Sequence, residues 1–184
     1  MQRIVFFVVL LLSIVNCSRN ELTDYQRRIA EDCMNSSMIE ASHWLDSLNV
    51  TGIQILKNHK YPPLFDVIMS DELMQEKLQK KISHMEQEFG AVKERKFFGI
   101  HVLFDGEILT YVPERVKTFK KISPRKLGVK KIEDYYKENI EGTYALLMYN
   151  SIPSKKDYAE ELLVMWCDRN NKWWLVDYLI AENI

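Results

Sequence analysis

The fold is decided by three runs near the end of the chain: GTYALLMY (142–149), YAEELLVMWC (158–167) and KWWLVDYLI (172–180). Each run is short, rich in aromatic and aliphatic side chains, and bounded by residues that favour turns. This pattern is typical of neighbouring antiparallel strands. We therefore expect the last third of the chain to form the body of an antiparallel sheet.

Upstream of these runs, the spacing of apolar residues is that of helices. Between residues 21 and 48 they recur mostly three or four positions apart, which predicts one long helix or two nearly continuous ones. A second helix is predicted from the N-cap residue Ser70 to Phe89, with Gly90 at its C-terminal cap.

A β-hairpin is predicted between the second helix and the closing strands. Asp105-Gly106 is the dipeptide preferred in a two-residue turn, and apolar runs flank it at 98–104 and 107–112. This turn would set His101 opposite Thr110 in the paired strands. The whole order predicts an α+β protein in which N-terminal helices pack on a curved antiparallel sheet.

The first residues differ in kind from the rest. A positive flank at Arg3 precedes an apolar stretch at 4–15 that is too short to span a membrane as a helix, and a polar segment follows it. This pattern predicts a signal peptide at 1–17, a tether at 18–24 and a single domain at 25–184, as expected for a chain of 184 residues. The expected location is outside the cytoplasm, in the periplasm or at the cell surface.

The end of the predicted signal peptide is compatible with two kinds of processing. Ile14-Val15-Asn16-Cys17 resembles the lipobox of bacterial lipoproteins, in which the cysteine is acylated and becomes the first residue. The resemblance implies a membrane anchor through a lipid on Cys17, although Asn16 stands where that family usually has glycine, alanine or serine. The alternative is ordinary cleavage near Cys17 or Ser18, which releases a soluble secreted protein.

Charge and motif content exclude several classes of function. The chain has 25 basic and 26 acidic residues, and this balance predicts no general attraction to nucleic acid. Phosphate-binding glycine loops and the common hydrolase motifs are absent from the sequence, and its four histidines show no metal spacing, so neither a cofactor nor a metal site is predicted. A basic run at 115–131 favours either a patch for anionic groups or a solvated loop.

Two cysteines remain beyond the leader. In an exported protein, Cys33 and Cys167 can form a disulfide, which chain-entropy arguments credit with about 4 to 5 kcal/mol because the closed loop is long. The alternative is two buried thiols that act as small apolar residues.

The closing strands carry apolar residues on both faces. Strict alternation places Asp177 on one face with Trp173 and Leu175, and Tyr178 on the other. Both faces need cover, because a large exposed apolar sheet associates. A homodimer through the outer face and a cover made by 115–140 are the two solutions we expect.

The order of elements and the ending Trp173-Trp-Leu-Val-Asp-Tyr178 resemble exported domains of the nuclear transport factor two-like superfamily. Ala41-Ser-His-Trp-Leu45 and Glu88-Phe-Gly90 are similar to the helical half of such domains. The resemblance covers residues 38–181 and implies a cone-like, cystatin-like α+β fold with a pocket between helices and sheet. It carries over no catalytic residues.

Two functions follow from this resemblance. The first is a non-enzymatic accessory or ligand-binding domain, whose ligand the sequence does not name. The alternative is a small-molecule enzyme of the ketosteroid-isomerase-like type, which needs a carboxylate or histidine inside the cone and an oxyanion-stabilising partner. Asp177 would be its main acid-base residue, with Tyr178, Tyr149 and His101 as the further candidates.

Overall fold

The computed structural model describes residues 22–58, 71–104, 107–122 and 142–182. Within them lie helix α1 (Asp24–Thr51), a 3-10 helix (Gly52–Asn58), helix α2 (Asp71–Glu88) and six strands. The strands are β1 (Val92–Phe104), β2 (Glu107–Tyr111), β3 (Lys120–Ile122), β4 (Thr143–Pro153), β5 (Ala159–Cys167) and β6 (Trp173–Ala181). The predicted leader with Cys17, the Ser70 cap and the Asp105-Gly106 turn fall outside the described residues.

The strands form one antiparallel sheet in the order β3-β2-β1-β4-β5-β6. The sheet is curved but not closed, and the two helices pack against it, so the predicted α+β fold class is confirmed. Two register shifts in β1, between Val92 and Glu94 and between Phe97 and Gly99, disrupt its pairing with β4. Such bulges bend a strand and increase its twist.

Helix α1 is one continuous helix, as the apolar spacing predicts. A capping box begins it: the Thr23 hydroxyl accepts from the Gln26 backbone N–H, and the Gln26 side chain accepts from the Thr23 N–H. Leu22 packs against the core. The contacts at the start of α1 therefore extend to Leu22, and the division into signal peptide, tether and domain stays a prediction.

Helix α2 buries the face that its spacing predicts. Leu78, Ile82, Met85 and Phe89 are all buried. The chain then turns at Gly90, which has a φ of 71° and whose N–H donates to the Met85 carbonyl, the arrangement of a C-terminal cap.

The closing strands bury both of their faces, as the sequence predicts. One face lies under the helices and contributes to the main core. On the outer face, a second cluster contains Tyr144, Leu146, Val164, Trp166 and Val176, all buried. The predicted homodimer through the outer face stays a prediction.

The predicted hairpin is confirmed by the register of β1 and β2, in which His101 lies opposite Thr110. Two parts of the sheet are not predicted. Strand β1 begins at Val92, six residues before the predicted apolar run. Residues 93–96 of its first half are all charged, so no apolar pattern marks this part of the strand. Strand β3 is only three residues long and lies in the basic run, where no apolar pattern marks it.

Strict alternation fails in β6. Val164 pairs with Asp177 and the next residue, Met165, pairs with Leu175, so one residue of β6 is extra at this point. Such a bulge moves every later side chain to the other face. Tyr178 therefore joins Leu175 in the helix-covered core. The prediction that Asp177 shares a face with Trp173 and Leu175 is wrong.

No helix in the described part of the chain is long and apolar enough to cross a membrane.

Candidate functional site

A charged group lies inside the helix-covered face of the sheet. Glu161 of β5 has a fully buried side chain, and Arg95 of β1 pairs with it at 2.7 Å from Nε to Oε2 and 3.1 Å from Nη2 to Oε1. Tyr178 of β6 donates its hydroxyl to Glu161 Oε1 at 2.6 Å. We call Arg95, Glu161 and Tyr178 the buried polar cluster. Through the carboxylate of Glu161 on β5, the cluster connects β1 with β6. Strand β4 lies between β1 and β5.

Tyr149 lies directly across from Glu161 in the pairing of β4 with β5. Burial, with a smaller effect from Glu161, raises the pKa of Tyr149 to about 12, and burial raises that of Tyr178 well above its ordinary value. Both phenols are therefore neutral at pH 7. Among the described residues, the Tyr149 hydroxyl has no hydrogen-bond partner. Trp44 of α1 packs its ring on Tyr178 with a centroid separation of 5.2 Å.

Two of the four predicted candidates are thus near one another, and the other two are elsewhere. Asp177 is 38% exposed and accepts from Lys81 Nζ of α2 at 2.5 Å and 2.6 Å, so it forms an ion pair at the edge of the sheet. His101 lies on the outer face, where its Nδ1 is 2.8 Å from Thr110 Oγ1. Burial lowers the pKa of His101 to about 4, so its ring is neutral at pH 7.

Cys33 and Cys167 are free thiols, both half-buried and packed against the main core. Cys167 pairs across strands with Trp173, and Trp173 Nε1 donates to Ser36 Oγ at 2.9 Å. Ser36 lies one turn after Cys33 on α1, so this contact brings the two cysteines to the same end of the sheet. Burial, followed by the influence of Cys167, raises the pKa of Cys33 to about 12. The disulfide stays a prediction.

A cavity of about 230 Å³ opens between α1 and the β2–β3 edge of the sheet. Its helix wall consists of Glu31, Met34 and Asn35. Its second wall consists of Tyr111 at the end of β2 and of the segment 117–119, which leads into β3. We call it the edge cavity. None of the four predicted site residues lines it.

The sequence patterns do not predict the contacts that form the buried polar cluster or the residues that line the edge cavity. Arg95 and Glu161 are 66 positions apart and carry no recognisable motif. The sequence does contain one signal for Glu161: it is a charged residue inside an apolar strand, at a position that alternation assigns to the inner face. The cavity residues come from a helix surface and a loop, where spacing predicts no contact.

The described residues contain no group of three or more His, Cys, Asp or Glu side chains that could hold a metal ion. Comparison of the chain with protein-family models, with curated proteins and with solved structures found no match.

We expect the buried polar cluster to stabilise the fold only when both charged partners, Arg95 and Glu161, are present. Glu161→Leu leaves Arg95 largely buried without a counter-charge, and it should lower the free energy of unfolding by about 3 to 5 kcal/mol. Arg95→Met should have a similar effect. The double variant should recover much of the loss, because no buried charge is then unpaired. Urea unfolding of all four proteins measures the coupling.

Glu94→Gln is the matched control for this cycle, because Glu94 is exposed on the same strand as Arg95. It should change the free energy of unfolding by less than about 0.5 kcal/mol. Losses that simply add in the double variant would contradict the assignment of a coupled pair.

We expect Cys33 and Cys167 to form a disulfide when the folded chain is treated with oxidised glutathione. One Sγ–Sγ bond forms, both thiol protons are released, and the glutathione disulfide is reduced to two thiols. Because burial raises both thiol pKa values, the rate should increase about ten-fold per pH unit above neutrality as the thiolate forms. Intact mass and thiol titration, in a Cys17→Ser background, measure the product.

Cys167→Ser in the same background is the control, and it should give only a mixed disulfide with glutathione. If the parent chain also stops at mixed disulfides, or if both thiols remain titratable, the two sulfur atoms are too far apart and the prediction is wrong.

Proposed function

We propose that this protein is an exported, non-enzymatic accessory domain that binds a small ligand in the edge cavity and is tethered to a membrane by a lipid on Cys17. The observation that carries the ligand-binding part is the edge cavity itself, which lies between helix and sheet and is lined by both polar and apolar side chains. Small-molecule sites combine these features, since apolar walls supply burial and a few polar groups fix orientation.

The resemblance to nuclear transport factor two-like domains is part of the same proposal. The arrangement of helices on a curved, open sheet is compatible with a cone-like fold of that kind. Export to the periplasm or the cell surface rests on the apolar leader at 4–15 and on the lipobox-like residues before Cys17.

The alternative is a ketosteroid-isomerase-like enzyme that uses Asp177. It has less support, because Asp177 is ion-paired with Lys81 and partly exposed, whereas an acid-base carboxylate of that type requires apolar walls. Glu161, the buried carboxylate among the described residues, is instead held by Arg95 and Tyr178. Its oxygens are therefore already engaged by protein donors.

We expect a panel of free amino acids, monosaccharides, nucleosides and short carboxylic acids to contain at least one compound that shifts the backbone NMR signals of residues 117–119. Met34→Trp should abolish the response, because the indole fills the cavity that Met34 lines. Ile39→Trp is the matched control, since it adds the same group to an exposed position of α1.

Asp177→Asn should leave this response unchanged. If no compound shifts these signals, the ligand-binding proposal is wrong. Shifts centred on Asp177 and Lys81, lost in Asp177→Asn, would favour the enzyme.

We expect the chain, expressed in a bacterium with its leader, to appear in the membrane fraction with acyl chains on an N-terminal Cys17. Each buried CH₂ of an acyl chain contributes about 0.8 kcal/mol to membrane binding, so diacylation gives stable anchoring. Cys17→Ser should move the protein to the soluble fraction. Fractionation and intact mass measure both results, and an unacylated wild-type chain cut near Cys17 or Ser18 would show a secreted protein instead.

A further inference from the structure

The edge cavity is lined by charges of both signs. Glu31 is on its helix wall and Lys117 is on its sheet wall, so one acidic and one basic side chain meet the same space. Both side chains are exposed. Within the described residues, neither has an ion-pair partner.

Some of the charges nearby are engaged by other side chains. Lys121 pairs with Glu107, which also accepts from Gln26 of α1. Lys96 pairs with Glu114 at 2.8 Å, and the Arg115 guanidinium lies 5.8 Å from the centroid of the Phe98 ring. Glu31 and Lys117 are the charged members of the cavity lining.

The rest of the lining consists of an apolar floor and neutral polar groups. Phe119 is 5% exposed, and its ring lies 5.4 Å from that of Tyr111 at a tilt of 34°. Met34 adds a flexible apolar side chain from the helix. Asn35 and Thr118 supply neutral hydrogen-bonding groups on the two walls.

Volume limits the size of the occupant. Sites for drug-sized ligands have volumes of about 300 to 1,000 Å³, and the edge cavity, which is partly open to solvent, has a volume of about 230 Å³. The ligand is therefore smaller, with a few polar atoms and one compact apolar part.

From these observations, and resting on the proposed function, we propose that the edge cavity binds a small zwitterion: a free amino acid with an apolar side chain, its ammonium group at Glu31, its carboxylate at Lys117 and its side chain on Met34 and Phe119. A ligand with both charges neutralises both walls at once. A singly charged ligand leaves one wall charge without a partner and is repelled by the wall of like sign.

Four probes that share the leucine side chain test the proposal on the purified full chain. They are L-leucine, which is zwitterionic, N-acetyl-L-leucine, which is anionic, L-leucinamide, which is cationic, and N-acetyl-L-leucinamide, which is neutral. Titration calorimetry and the NMR signals of residues 117–119 measure binding. L-Leucine should bind about ten-fold more tightly than each blocked form, because a hydrogen bond to a charged group is lost with each block.

The variants Glu31→Gln and Lys117→Met locate the two charges. Each should weaken L-leucine binding roughly five-fold, the upper range for an exposed ion pair. Glu31→Gln should also weaken binding of the cationic L-leucinamide while leaving the anionic probe unaffected or tighter. Glu40→Gln and Lys93→Met change exposed residues elsewhere on the molecule and should leave all four affinities unchanged.

The outcomes separate this inference from the proposed function. If a blocked form binds as tightly as L-leucine, or if Glu31→Gln strengthens L-leucine binding, the proposal of a zwitterionic ligand is wrong. If sugars or nucleosides shift the signals of 117–119 and L-leucine does not, the zwitterion is wrong while the binding function stands. If no compound of any charge binds, both fail together.

Discussion

The carboxylate of Glu161 imposes the strictest condition on this fold. A fully buried charge is stable only with a counter-charge and hydrogen bonds, and here both come from other strands, Arg95 on β1 and Tyr178 on β6. Strand β4 lies between β1 and β5, so Arg95 must reach across it, and the residue opposite Arg95 on β4 is the small Ser151. A shift of one residue in any of these pairings would move a partner to the outer face.

The bulge in β6 is part of the same condition. Without it, alternation from Trp173 places Tyr178 on the outer face and Asp177 among the core residues. With the extra residue, Tyr178 reaches Glu161, and Asp177 meets Lys81 at the edge. The bulge in β6 therefore places the neutral phenol of Tyr178 in the core and the carboxylate of Asp177 near solvent, where a charge costs less.

These features explain where sequence reasoning succeeded and where it could not. Local patterns predicted both helices, the register of the hairpin and the three closing strands, since each depends on spacing within one segment. Position 176 carries no glycine or proline to mark a bulge, so the faces of Asp177 and Tyr178 were assigned the wrong way round. The pairing of Arg95 with Glu161 and the walls of the edge cavity join segments far apart in the chain, and no periodicity encodes such contacts.

The two polar regions also differ in what they can do. In the buried polar cluster, the charges of Arg95 and Glu161 neutralise each other, and the Tyr178 hydroxyl donates to the same carboxylate. The long strands around the cluster oppose its rearrangement. The edge cavity lies beside β3, a strand of three residues that pairs, among the described strands, only with β2. Short edge elements with few packing contacts open at low free energy. Under the proposed function, a ligand that contacts both Glu31 on α1 and Lys117 ahead of β3 joins the helix to this edge of the sheet.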